Sequence, residues 1–214
     1  MPKLIFTRHG ESVGNVAGFY QGRMDTPLSR RGILQAERLS LRLRAWPIEA
    51  IYSSPLRRAL ETVRPLAAER GMEIRVREEL VEIDHGEWTG LTVNEVGERF
   101  GELLRLWRTS PEKVKMPGGE ALEEVRERGE RALREILELH ARSDGFVLIC
   151  SHDAVLRTMI GAALGLDLSR IWSFRLDNAS LTIFDFRGGK PRLLLLNDTC
   201  HLQDLLSDAD LQAL

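Results

Sequence analysis

The sequence predicts a three-layer α/β fold, with helices on both faces of a mainly parallel, mixed sheet that ends in an antiparallel edge. Three observations carry this prediction. Short apolar runs alternate with amphipathic helical stretches through most of the chain, as in strand–helix–strand units. Two late apolar runs are separated only by Arg187-Gly188-Gly189-Lys190-Pro191, which reads as a hairpin. The chain has 214 residues, 43% of them hydrophobic, which suits a single domain over 1–214 with a sizeable core.

The elements follow in order. Leu4, Ile5 and Phe6 lie in a strand at 3–7 whose apolar side chains point to both faces, so both are buried. A helix at 29–44 places Ile33, Ala36, Leu39 and Leu43 on one face. A strand at 48–52 leads to a helix at 55–70, opened by Pro55, with Leu56, Leu60, Val63, Leu66 and Ala67 inward. A strand follows at 74–77. Residues 88–118 interrupt the alternation: Val96, Phe100, Leu103, Leu104 and Trp107 form a helical stripe, broken by Pro111 and Pro117-Gly118-Gly119. This insertion either closes over a site as a lid or packs as an ordinary helix, with Trp88 and Trp107 in packing roles. A long helix at 119–140 carries Leu122, Val125, Ala132, Leu133, Ile136 and Leu137, and His140 is read as a cation at its end. The run 146–150 ends in Cys150, a small buried hydrophobe. A nearly apolar helix at 154–164 precedes strands at 180–186 and 192–196, the antiparallel edge. The acidic tail from Asp204 to Leu214 reads as a docked or frayed helix.

Composition narrows the function. A formal net charge of −2 argues against a nucleic-acid partner or a membrane-surface role. No apolar run approaches the roughly 20 residues that span a bilayer, and no basic segment with a long apolar stretch opens the chain. Two cysteines make neither a disulfide framework nor a zinc site. A cytoplasmic enzyme is expected. Since 26 of the 30 basic residues are arginine, an isolated arginine says little, and only its position can single it out.

Three strand-like runs end in groups that suit phosphate. The first ends in Arg8-His9-Gly10, the second runs into Ser53-Ser54-Pro55-Leu56-Arg57-Arg58-Ala59, and the third ends in Ser151-His152-Asp153 before a helix. Ligand sites of open α/β sheets lie at the C-terminal ends of strands. If these runs are neighbours, Arg8, His9, Arg58 and His152 share one pocket, helped by a helix N-terminus. Arginine forks grip oxyanions, and an imidazole in cationic surroundings stays neutral and nucleophilic. A leaving alcohol needs a proton, for which Glu82 is the candidate among Glu78, Glu79, Asp84 and Glu87.

Thr7-Arg8-His9-Gly10-Glu11-Ser12 with Asn15, Ser53 to Ala59 with Thr62, Glu82 before Gly86-Glu87-Trp88-Thr89-Gly90, and Ser151-His152 together resemble the histidine phosphatase superfamily, the phosphoglycerate-mutase-like group. The resemblance implies that His9 takes the phosphoryl group as phosphohistidine and that Arg8, Arg58 and His152 clamp its oxygens. Asn15 would add a hydrogen bond, and Glu82 would first protonate the leaving group and then activate water. Gln21 and Gly22 stand where relatives contact phosphate or substrate. Ser12 and His85 are further candidates for lining the pocket. No metal or cofactor is implied, and the expected partner is a small phosphorylated metabolite. Asp153 stands where many relatives have glycine, and its side chain is expected to cap the following helix.

Two rival activities share these residues. Gly10-Glu11-Ser12-Val13-Gly14 matches the nucleophile elbow of serine esterases, with Ser12 as nucleophile. It follows the first strand, which leaves no room upstream for an oxyanion loop, and it leaves Arg8 and Arg58 without a role. An intramolecular mutase would use the same pocket with extra basic residues in the insertion. Arg99, Arg105, Arg108, Lys113 and Lys115 are available there, but the mutase's adjacent-arginine pattern is missing. A phosphatase is favoured, and a homodimer through the edge strand or the tail is expected.

Overall fold

A computed structural model describes residues 1–188, 190–208, 212 and 213. Six strands form one sheet: β1 (Lys3–Arg8), β2 (Ile48–Ser53), β3 (Ile74–Val76), β4 (Phe146–Ser151), β5 (Leu181–Asp185) and β6 (Arg192–Asp198). Their order is β3-β2-β4-β1-β5-β6. The first four run parallel, and β5 and β6 are antiparallel additions. The alternation predicted the parallel part, and the hairpin predicted the edge.

Successive side chains of a strand face opposite ways, and the two cores divide accordingly. Leu4, Phe6, Tyr52, Val147 and Ile149 pack on one face with α5 (Leu122–Leu139) and α6 (Asp153–Leu164). Ile5, Ile51, Leu148 and Cys150 pack on the other with α2 (Arg30–Leu43) and α3 (Arg57–Arg70). Each fully buried large apolar side chain contributes about 1.5–3 kcal/mol. Burial also pushes the Cys150 thiol up, so it is inert.

Several expectations are corrected. Ile33 is 52% exposed. The buried stripe of α2 is Gly32, Gln35, Ala36, Leu39, Ser40 and Leu43, and Ile33 lies just past its edge. The helix after β2 starts at Arg57, with Leu56 rather than Pro55 at its boundary. A short helix α1 (Val13–Ala17) was not foreseen, being too short to show periodicity. His140 is held neutral by burial and by nearby Arg75, and its ring bonds the Tyr52 hydroxyl at 3.0 Å. The insertion folds as α4 (Val93–Thr109), kinked at Phe100, flanked by single 3₁₀ turns. Trp88, Val96, Trp107, Val114 and Met116 carry it into the main core. The tail makes one 3₁₀ turn at Gln203–Leu205, while the expected helix over 204–214 falls partly outside the described residues. Among the described residues no helix is long and apolar enough to cross a membrane.

Candidate active site

The strand order makes β2, β4 and β1 consecutive, so their C-terminal ends meet. Arg8 registers with Ser151, and Ser53 with Cys150. The chain stays tied just past these ends, where His9 N–H donates to the Ser151 carbonyl at 3.0 Å and Ser54 N–H to that of Cys150 at 3.1 Å.

His9 is buried, and its Nδ1 lies 2.7 Å from the Gly10 carbonyl. A carbonyl only accepts, so Nδ1 carries the proton and Nε2 keeps its lone pair. That lone pair accepts from Arg58 Nε at 3.3 Å. Burial, reinforced by Arg58 and Arg8, holds the His9 pKa well below the usual range. The ring is therefore a neutral imidazole with its basic nitrogen facing a guanidinium.

Arg58 enters from the first turn of α3 and is fully buried. Its Nε also reaches His152 Nδ1 at 3.2 Å. Its Nη1 and Nη2 donate to the carbonyls of Met24 and Gly22 at 2.7 and 2.9 Å. Burial pushes its pKa down to about 10, which leaves it charged at neutral pH. Its neighbour Arg57 instead pairs with Glu61 at the surface. Thr62 joins the two segments, accepting from Gly10 N–H and donating to the Arg58 carbonyl. Gly22 has φ +49°, and a Cβ there would lie 3.2 Å from the His85 nitrogen and the Thr89 hydroxyl. Glycine fits this bend because it has no side chain to strain.

His152 is the boundary residue of α6, and its ring centroid is 5.1 Å from that of His9. Its Nε2 meets the Ser54 hydroxyl at 2.7 Å, leaving Nδ1 as the acceptor toward Arg58. Burial, then Arg58, lowers its pKa too.

Glu82 faces the same space as Arg8, His9, Arg58 and His85. Its Oε1 accepts from Ile83 N–H at 2.9 Å, and its Oε2 lies 3.5 Å from Ala154 N at the start of α6. Burial pushes its pKa up, and Asp153 adds to the effect. The segment carrying it is clamped by Arg128 of α5, which donates to the carbonyls of Glu79 and Val81 at 2.7 and 2.5 Å. Arg128 is itself paired with Glu120, and Glu120 accepts from Asp84 N–H.

Arg8, 2% exposed, donates to the Leu176 carbonyl at 2.9 Å and lies 3.7 Å from Asp153. Asp153 does not cap α6: its carboxylate binds Arg157 one turn on at 2.7 Å and turns its other oxygen toward Arg8. Two buried arginines draw it away from the helix end, where a cap would have been expected.

The site therefore brings together two guanidinium groups, a neutral imidazole with its lone pair presented, a second imidazole and a carboxyl. Set beside known proteins, the sequence matches the model of histidine phosphatase superfamily (branch 1) over residues 4–199. The chain belongs to the histidine phosphatase superfamily. It is 40% identical over 209 residues to phosphoserine phosphatase 1 of Hydrogenobacter thermophilus, covering 98% of each chain. It is 32% identical to the adenosylcobalamin/alpha-ribazole phosphatase of Salmonella typhimurium, covering 91% of this chain and 96% of the relative. Among solved structures, Bacillus stearothermophilus YhfR superposes with a TM-score of 0.90 at 32% identity, over 94% of this chain and all of that one. A phosphoserine phosphatase mutant from Entamoeba histolytica, in complex with phosphoserine, gives 0.81 at 30% identity, over 94% and 100%.

The remaining histidine-phosphatase candidates divide. Asn15, Gln21, Gly22 and His85 line the same space as Arg8, His9, Arg58 and Glu82. Gln21 Oε1 accepts from Thr26 at 2.5 Å and from Ser12 at 2.7 Å. His85 packs against Tyr20, Trp88 and Trp107, its Nδ1 has no partner among the described residues, and burial pushes its pKa down to about 4. Ser12 lies behind this wall as the N-cap of α1, fully buried, its hydroxyl engaged by Asn15 and Gln21. This corrects its place in the pocket lining and leaves the esterase reading without an exposed nucleophile. Three of the insertion's five named basic residues are engaged with acids of their own: Arg105, Lys113 and Lys115 pair with Glu102, Glu112 and Glu124. Ser54 and Thr62 sat inside motifs already singled out and lacked only a role. Arg128 and the tail residue Gln212 had no signal of their own.

Proposed function

We propose that this protein hydrolyses small phosphomonoesters through a phosphohistidine at His9. The observation that carries the reading is the His9 Nε2 lone pair, fixed by the Gly10 carbonyl and faced by the Arg58 guanidinium, with a carboxyl of raised pKa on the same space.

In the first step Nε2 attacks phosphorus, a P–N bond forms and the ester P–O bond breaks. Glu82 gives its proton to the departing oxygen. Arg8 and Arg58 hold the equatorial oxygens, joined by His152 in the tautomer with Nδ1 protonated, its Nε2 then accepting from the Ser54 hydroxyl, and charge-assisted hydrogen bonds from guanidinium groups contribute about 1.5–3 kcal/mol each. In the second step the Glu82 carboxylate takes a proton from water, whose oxygen attacks phosphorus. Inorganic phosphate leaves, and His9 returns to its neutral form.

The likeness to phosphoserine phosphatase 1 makes phosphoserine the first substrate to test. A panel with phosphoserine, 3-phosphoglycerate, sugar phosphates and alpha-ribazole phosphate should release inorganic phosphate. His9→Ala should abolish release while part of the phosphate binding survives. Fast conversion of 3-phosphoglycerate to 2-phosphoglycerate with little release would replace this reading with a mutase. A cytoplasmic setting belongs to the proposal, supported by two free cysteines, Cys150 and Cys200. So does a homodimer through the β6 edge, supported by exposed Leu194 and Leu196.

A further inference from the structure

The phosphoryl space is filled from within the chain. Gln212 is 7% exposed, and its Oε1 accepts from Arg8 Nη2 at 2.6 Å and from Asn15 Nδ2 at 3.0 Å. Its Nε2 donates to Asn178 Oδ1 at 2.8 Å, and Asn178 in turn donates to the His9 carbonyl at 3.0 Å. One amide oxygen thus takes donors that a phosphoryl oxygen would use. It meets only one of two adjacent donors of the guanidinium: Arg8 Nε is buried without a partner among the described residues. A phosphoryl group has a second oxygen to offer it. With Ala213 in the wall, the space bounded by Arg8, His9, Arg58 and Glu82 is about 20 Å³, room for a water molecule and too small for a phosphoryl group. Beyond Gln212 lies a cleft of about 420 Å³, lined by Glu11, Ser29, Arg31, Asp208 and Gln212. Asn15 borders both spaces, Gln212 lines the outer one and Ala213 the inner one.

We propose that Gln212 is an internal competitor for the phosphoryl site, its amide oxygen occupying the seat of a phosphoryl oxygen between Arg8 and Asn15. Substrate, and the phosphate left after turnover, bind only when the Gln212 side chain leaves that seat and turns toward the outer cleft. The same device favours release of inorganic phosphate, because the returning amide displaces it. This rests on the phosphatase reading of the pocket.

The test is calorimetric titration of inorganic phosphate into the full-length protein and its Gln212→Ala and Gln212→Glu variants. If the latch is closed nine-tenths of the time, the apparent dissociation constant stands about tenfold above its intrinsic value. Gln212→Ala should then tighten phosphate binding by up to about tenfold, and Gln212→Glu should loosen it. Unchanged binding in Gln212→Ala would mean the tail is a passive cover, and weaker binding would make Gln212 a ligand of the phosphate; either overturns the competitor. If neither the wild type nor any variant binds phosphate, the phosphatase reading of the pocket falls with it.

Discussion

Burial moves His9 and Glu82 in opposite directions, and the proposed mechanism needs both shifts. In the proposed mechanism His9 acts with its ring neutral, so the acid limb of kcat/KM should report the pKa at which protonation removes its activity. That pKa is held well below the ordinary histidine range, so the enzyme should keep working into mild acid. The proposed mechanism has Glu82 act with its carboxyl protonated, so activity should fall as pH rises through its pKa, which burial raises above the ordinary carboxylate value. Glu82→Gln removes the proton donor: kcat should fall about 10²–10⁴-fold, and the basic limb should vanish from the pH profile. A variant that keeps that limb would assign the acid to another group. The sequence made these residues legible because each stands next to a strand end or in a motif of fixed spacing. It misplaced Asp153, whose partner Arg157 lies one helical turn away and whose other neighbour, Arg8, comes from a different strand. Such a pull by two buried guanidinium groups is a tertiary effect that overrides the local preference for a cap.

The segment 79–87 carries Glu82 and His85 but has little regular structure of its own beyond two 3₁₀ turns. Its position is imposed by Arg128 of α5, whose guanidinium binds two of its carbonyls, and by Glu120 just before that helix, whose carboxylate accepts from the Asp84 nitrogen. Arg128→Met should leave those carbonyls without their donor, at about 1–3 kcal/mol. Thermal unfolding should show a lower Tm, and kcat should drop as Glu82 loses its aim. A variant with wild-type Tm and kcat would show that the segment holds itself. Apolar periodicity made the long elements legible, and the stripes of α3 and α5 follow it except at Leu60 and Leu137, which are only half-buried. It could not reveal α1, which has five residues, nor the clamp, because Arg128 reads as one more polar position on a charged helix.

At the scale of the whole molecule, the strand order does the assembling. Arg8 and His9, Arg58, and His152 come from segments up to 144 residues apart in sequence, and the adjacency of β2, β4 and β1 brings them within hydrogen-bonding reach. Alternation of strands and helices predicts a parallel sheet, and with it convergent strand ends, so the pocket was legible before its distances were. The tail was not. Gln212 sits in a short acidic stretch without strong pattern, and only the folded chain shows it bonded to Arg8 and Asn15. The most direct test of the account is rapid quenching of the enzyme during turnover of a radiolabelled phosphomonoester, followed by mapping of the labelled residue. The account predicts one acid-labile, base-stable phosphoryl group on His9, absent from His9→Ala. Label on Ser12, or steady turnover with no phosphoenzyme at all, would contradict it.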